Sequence, residues 1–339
     1  MRPEGRLIPH RRGRGLALVV LAAVVSALVL APAALATTPH PNGQIAFARF
    51  DPALDDTVVY IVGSDGSGLH QAIPGTPIPG ECPHWSPDGT RIATCGTALP
   101  NGQGGATMII DARTGSYTQL PAPDPTLSTA CNTWSPDGTR LACEAWDDSN
   151  PARDGIYTIR SADGGDLVRL TANPTGGGHD LPGAYSPEGR RLLFVRTDAD
   201  GNAFGLFVVN VNGTGLKQIT PPGMIGISGA SWSPQGNMIV FSMRIRAGQR
   251  RTIWTIHSDG SRLAQVPIQL QPACGGSVDD PASVGCVDPR WSPDGQQIVF
   301  QQFTPLASSI DTVDADGSNL RQLTTSPTED DAPDWGAAP

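Results

Sequence analysis

Lysine is nearly missing from this sequence, with Lys217 the only one in 339 residues. Charged side chains make up just 16% of the chain, acidic residues outnumber basic ones by 32 to 23, and the formal net charge is −9. Nucleic acids and anionic membrane surfaces are held by Lys and Arg, so neither is an expected partner. Beyond Pro32 there is no long apolar run, which leaves no candidate transmembrane helix in the body of the chain. A Gly-x-Ser-x-Gly elbow, a Walker loop and His-Glu-x-x-His are also absent, which removes three common enzyme readings. No close Cys-x-x-Cys pair with further ligands occurs, so no zinc site, other metal or cofactor is expected. The segments beginning at Asp198 and Asp314 look like half a calcium loop. No Glu closes either of them, and both read as turns.

The one long apolar run sits at the start. A basic segment, MRPEGRLIPHRRGRG, precedes LALVVLAAVVSALVLA, and Ala34-Leu35-Ala36 then offers small residues to a signal peptidase. Residues 1–36 are therefore expected to be an export signal and 37–339 the mature protein. Arg11-Arg12 leaves both general and twin-arginine export open. Removing the signal takes away five arginines and one glutamate, leaving 18 basic and 31 acidic side chains and a net charge of −13. The expected location is secreted, periplasmic or cell-wall associated.

What the sequence has in quantity is Gly (40) and Pro (32), set in short clusters between apolar runs. That pattern predicts many short strands and tight turns. The turns recur in phase. SPDG or a close variant follows an aromatic at Trp85, Trp134, Tyr185, Trp232 and Trp291, and a last aromatic, Trp335, stands four residues from the end. The intervals are 49, 51, 47, 59 and 44 residues. Each unit also carries a second turn, as in SDGSGLHQAI and DADGSNLRQLT, about thirty residues beyond the aromatic where the unit has one ahead of it. Each unit then reads as four strands, the signature of a propeller blade. Pro87 presets φ, Asp88 can bond the local backbone and Gly89 tolerates positive φ. The aromatics read as wedges between blades. The expected fold is all-β, a six-bladed propeller over residues 39–335. Its C-terminal strand, DAPDW, should pair beside Gln44–Phe47 and close the ring.

These residues resemble the TolB-type propeller repeat, P-x-W-S-P-D-G-x-x-I-A-F followed by I-Y-x-x-D-A-D-G-S-x-x-R-Q-L-T, over essentially the whole mature chain. The resemblance implies a periplasmic binding role, because the family's namesake binds a peptidoglycan-associated lipoprotein and is exploited by colicins. That protein also carries an N-terminal α/β domain, for which there is no room between Ala36 and Pro39. Prolyl-oligopeptidase-like enzymes use the same repeat beside a hydrolase domain, which this sequence lacks.

Six cysteines form three sequence-local pairs, Cys82/Cys95, Cys131/Cys143 and Cys274/Cys286. In an exported protein they are expected to be disulfides. Relative to the blade aromatic, Cys95 stands at +10 and Cys143 at +9, so the first two bridges cannot share one strand register. A Cys82–Cys131 link is the alternative.

Both tight turns of each blade fall on one face of the ring, and the varied loops fall on the other. Binding is expected on the varied face. Glu81, Asp180, Asp330 and Asp331 precede their aromatics by four or five residues, which puts them at that mouth of the channel. His179 and Asp180 are neighbours in a predicted loop. Trp146 and the Arg244, Arg246, Arg250 and Arg251 cluster complete the candidates. The function these residues predict is a monomeric, non-enzymatic scaffold that binds a protein, peptide or envelope component. The alternative is a carbohydrate lyase or hydrolase with its site at the channel mouth.

Overall fold

The tight turns set the blade edges. In the first, Gly89 N–H donates to Ser86 O (2.9 Å), while Ser86 Oγ and the Thr90 amide both bond Asp88 Oδ1. Gly89 takes φ 67°, and the glycines at 138, 189, 236 and 295 repeat that value within a few degrees. A left-handed residue is thus required at the same place in five blades.

The computed structural model describes residues 39–75, 80–97, 106–269, 274–280, 282–305 and 307–339. The expected signal peptide lies outside them. Among the described residues there are six four-stranded antiparallel sheets, and no helix is long and apolar enough to cross a membrane. The innermost strands are Glu81–Trp85, Ser128–Trp134, Asp180–Tyr185, Ile225–Trp232, Gly285–Trp291 and Asp330–Ala337. The last of these belongs to blade one, where it pairs with Asn42–Asp51 in a register that sets Ile45 opposite Trp335 and Arg49 opposite Asp330. The ring closes as the sequence predicts. No inner strand of blade one is left open as an edge.

The apolar core is divided into wedges. Each of the six main buried clusters spans two neighbouring blades and contains one blade aromatic. Trp335, for example, packs with Ile45 and Phe47 of blade one and Val299 and Ile310 of blade six. Arg91 stacks over Trp134 and Arg191 over Trp232, each with its guanidinium 4.8 Å from the ring centroid. The basic side chain at +6 of one blade therefore covers the aromatic of the next.

Four blades fill the centre of the second strand with a fully buried phenylalanine, at Phe47, Phe194, Phe241 and Phe300. In blade three that position is Cys143, bridged to Cys131, and in blade two it is Thr94 beside the Cys82–Cys95 bridge. Disulfides thus stand in the two blades that lack the large ring. All six cysteines are bridged in the sequence-local pairs. The register conflict is resolved by β-bulges. Cys131 lies directly opposite Cys143, whereas Cys95 lies opposite Glu81 and Cys82 sits in the bulge at φ 45°.

Candidate functional site

Every innermost strand carries a bulge or register shift a few residues before its aromatic. The residue just before the aromatic in each blade lines the channel: His84, Thr133, Ala184, Ser231, Arg290 and Asp334. Three of them meet. Arg290 donates to Ala230 O (2.6 Å), lies 3.1 Å from His84 Nε2, and its Nε is 3.8 Å from Asp334 Oδ1. Asp334 in turn accepts the Trp85 amide at 2.7 Å. Burial, helped by the Arg290 charge, holds the His84 imidazole well below its usual pKa, while burial raises Asp334. This group sits in a cavity of about 320 Å3 on the tight-turn side, ringed by the blade aromatics and the turn prolines. Trp85, Trp232 and Trp291 Nε1 and the Tyr185 hydroxyl are buried there without a hydrogen-bond partner among the described residues. Nothing in the spacing of one blade reveals the group, because its members come from blades one, two and six.

At the opposite mouth the carboxylates gather. Burial raises Asp331 to about 7, reinforced by Glu329, Asp288, Glu81 and Asp330. Glu81 is exposed at the start of its strand, and burial and Asp56 raise its pKa too. Asp288 is new to this set. It occupies the bulge of blade six at φ 49° and packs against Gly229, where an added Cβ would lie 2.5 Å from the Asp288 Cα. Only glycine fits that approach of two inner strands.

Asp180 and Asp330 are placed differently from their neighbours. Both are fully buried, each in a two-pronged ion pair, with Arg196 (2.6 and 2.8 Å) and Arg49 (2.6 and 2.8 Å) respectively. Thr324 Oγ1 also donates to Asp330 at 2.7 Å. Each carboxylate locks its innermost strand to the second strand of the same blade. Trp146 is the half-buried last residue of strand Arg140–Trp146. Beside it Arg153 pairs with Asp147 and Asp124. His179 is exposed, with Nδ1 3.1 Å from Glu144 Oε1, and burial raises the Glu144 carboxyl. Arg250 stacks on Phe303, and Arg251 Nε donates to Gly226 O at 2.6 Å. The structure thus brings together Glu81 with Asp331, and Arg244 with Arg251. His179 joins Glu144 instead of a nucleophile.

Residues 25–283 match the family described as the TolB beta propeller domain. A search of curated proteins with the sequence returned no match. Among solved structures the chain is similar to TolB from Acinetobacter baumannii, at 20% identity and a TM-score of 0.66. The alignment covers 87% of this chain and 66% of that one, so this chain spans just under two thirds of that TolB. A TolB-like structure from Agrobacterium tumefaciens aligns at 19% identity and a TM-score of 0.57, over 84% of this chain and 88% of the other. Oligogalacturonate lyase from Vibrio parahaemolyticus aligns at 13% identity and a TM-score of 0.51, over 85% and 79%. At these identities the structural likeness establishes the fold.

Proposed function

We propose that this chain, which belongs to the TolB beta propeller domain family, is an exported binding scaffold whose varied-loop face takes up a protein, peptide or envelope component. One observation carries the reading. The opposite charges at the tight-turn mouth, Arg290 and Asp334, face one another. At the loop mouth Asp180 and Asp330 are paired, but among the described residues Arg244, Arg250 and Arg251 form no ion pair, and Asp331 faces other acids. Charge left unmatched on a rigid ring favours a ligand that matches it. The three disulfides fit an oxidising compartment, in keeping with export.

The test is capture from an envelope extract by the immobilised protein, read by mass spectrometry. Trp146→Ala and the double change Arg250→Ala/Arg251→Ala are expected to weaken capture at least tenfold, while Thr90→Ala and Asn319→Ala on the tight-turn face leave it intact. The opposite pattern would move the site to the other mouth.

A second reading, a carbohydrate lyase or hydrolase, draws on His84. A buried neutral imidazole beside Arg290 can accept a proton, and Arg290 can hold a carboxylate. Turnover of an envelope polysaccharide abolished by His84→Ala would favour that reading over pure binding.

A further inference from the structure

Buried polar atoms without partners concentrate in two places. One is the ring of blade aromatics. The other is the junction between the Arg244–Arg251 segment of blade five and the disulfide-closed insertion of blade six, where Arg244 Nε, Gln249 Oε1, Arg250 Nε and Ser283 Oγ are all unpartnered among the described residues. The junction is well braced. Arg250 N–H donates to Gly276 O, Cys286 N–H donates to Arg251 O, and Gln249 bridges to Ser277. The Cys274–Cys286 bond closes the insertion.

Two of these arginines converge on one glycine. Arg251 Nε donates to the carbonyl of Gly226, and the Arg244 side chain lies across the same residue, where an added Cβ would stand 3.0 Å from Arg244 Cδ. Neither arginine has an ion-pair partner among the described residues. Two half-buried like charges are held together without a salt bridge, and Asp288 is the one opposing charge that acts on Arg251, so part of the repulsion is left for an oxyanion to offset. The Arg251 pKa is lowered, first by burial and then by Arg244, with Asp288 opposing the shift. Three residues further along the same innermost strand, Asp288 lies over Gly229 with Oδ1 3.0 Å from where a Cβ would be. The carboxylate of Asp288 therefore lies near enough to act on the Arg251 charge, beside the same innermost strand that the two arginines grip.

We propose that Arg244, Arg251 and Asp288 form a site for a small zwitterionic ligand such as a short peptide, its carboxylate on the two arginines and its ammonium on Asp288. A plain polyanion is disfavoured, since its second charge would meet Asp288 and the acids beyond it. The inference rests on the loop-face reading for its location and gives that face a ligand chemistry.

The test is titration calorimetry of the purified protein with the dipeptide Ala-Ala, free alanine, malonate and inorganic phosphate. Saturable binding of Ala-Ala, at least tenfold tighter than malonate or phosphate, is the expected result. The double variant Arg244→Gln/Arg251→Gln should lose it by tenfold or more. Asp288→Asn should weaken Ala-Ala and strengthen malonate. Removing one of two repelling charges should not lower the melting point of Arg244→Gln, which shows whether that exchange is tolerated. If the double variant fails to fold, Asp288→Asn decides the matter alone. No saturable heat with Ala-Ala, unchanged binding in the variants, or tighter binding of malonate or phosphate by the unaltered protein overturns the proposal. Dipeptide binding with partner capture unaffected by loop changes would count against the loop-face reading and leave this site standing.

Discussion

The amide of Trp85 donates a 2.7 Å hydrogen bond to Asp334 Oδ2 across 249 positions of sequence. It joins the innermost strand of blade two to the strand that ends the chain. The bond exists only because Asp330–Ala337 pairs with Asn42–Asp51 and brings Asp334 round to blade two. Ring closure and the assembly of Asp334 with His84 and Arg290 are therefore one structural event.

Deleting Asp331–Pro339 removes that strand, the wedge aromatic Trp335 and the acceptor for Trp85. Loss of a buried tryptophan alone costs about 3–5 kcal/mol. The truncated protein is expected to aggregate or to melt at a much lower temperature in a scanning calorimeter, and an unchanged melting point would refute closure by this strand.

Asp180 and Asp330 should behave as structural residues. Replacing one by alanine leaves Arg196 or Arg49 half-buried without its partner, a loss of about 3–5 kcal/mol. Chemical denaturation of Asp180→Ala and Asp330→Ala should show it directly. Glu81→Ala, at an exposed position, should change stability by less than about 0.5 kcal/mol.

Asp331 should make stability fall as pH rises. Its carboxyl titrates at about 7 in the folded ring and at about 4 when unfolded. Below the lower value it is protonated in both states and costs nothing. Between the two, the unfolded chain loses its proton first, so the folded state is progressively penalised up to about pH 7. Asp331→Asn is expected to raise the melting temperature by about 2–4 °C at pH 8 and to leave it unchanged at pH 4. Stabilisation at pH 4 as large as that at pH 8 would contradict the assignment.

Peptide mapping without reduction should recover Cys82–Cys95, Cys131–Cys143 and Cys274–Cys286, with no free thiol under denaturing conditions. Loops of this length contribute about 2–3 kcal/mol each. Reduction should therefore lower the melting point markedly, most of all in blades two and three, where the bridges stand in for a core phenylalanine.

The blade count, the closing strand and the cysteine pairs could be read from the sequence because each depends on local spacing. The site was less legible, for two reasons. Asp180 and Asp330 share the −5 position, but their fate depends on a second position. In both blades the residue opposite in the ladder is arginine, Arg196 or Arg49, while the corresponding second-strand residues in blades three, five and six are Ala145, Met243 and Gln302. Read jointly, the two positions signal an internal ion pair. His84, Arg290, Asp334 and Asp288 carry no such signal. They come from different blades, and bulges whose placement varies between blades decide where they point.

Hydrogen–deuterium exchange with and without the captured partner tests the central claim most directly. The account predicts slowed exchange in the varied-loop segments, around residues 144–155, 244–252, 276–286 and 328–332, with the tight turns after Trp85, Trp134, Tyr185, Trp232 and Trp291 unchanged. Protection confined to those turns, with the loop segments unaffected, would place the partner on the opposite mouth and contradict it.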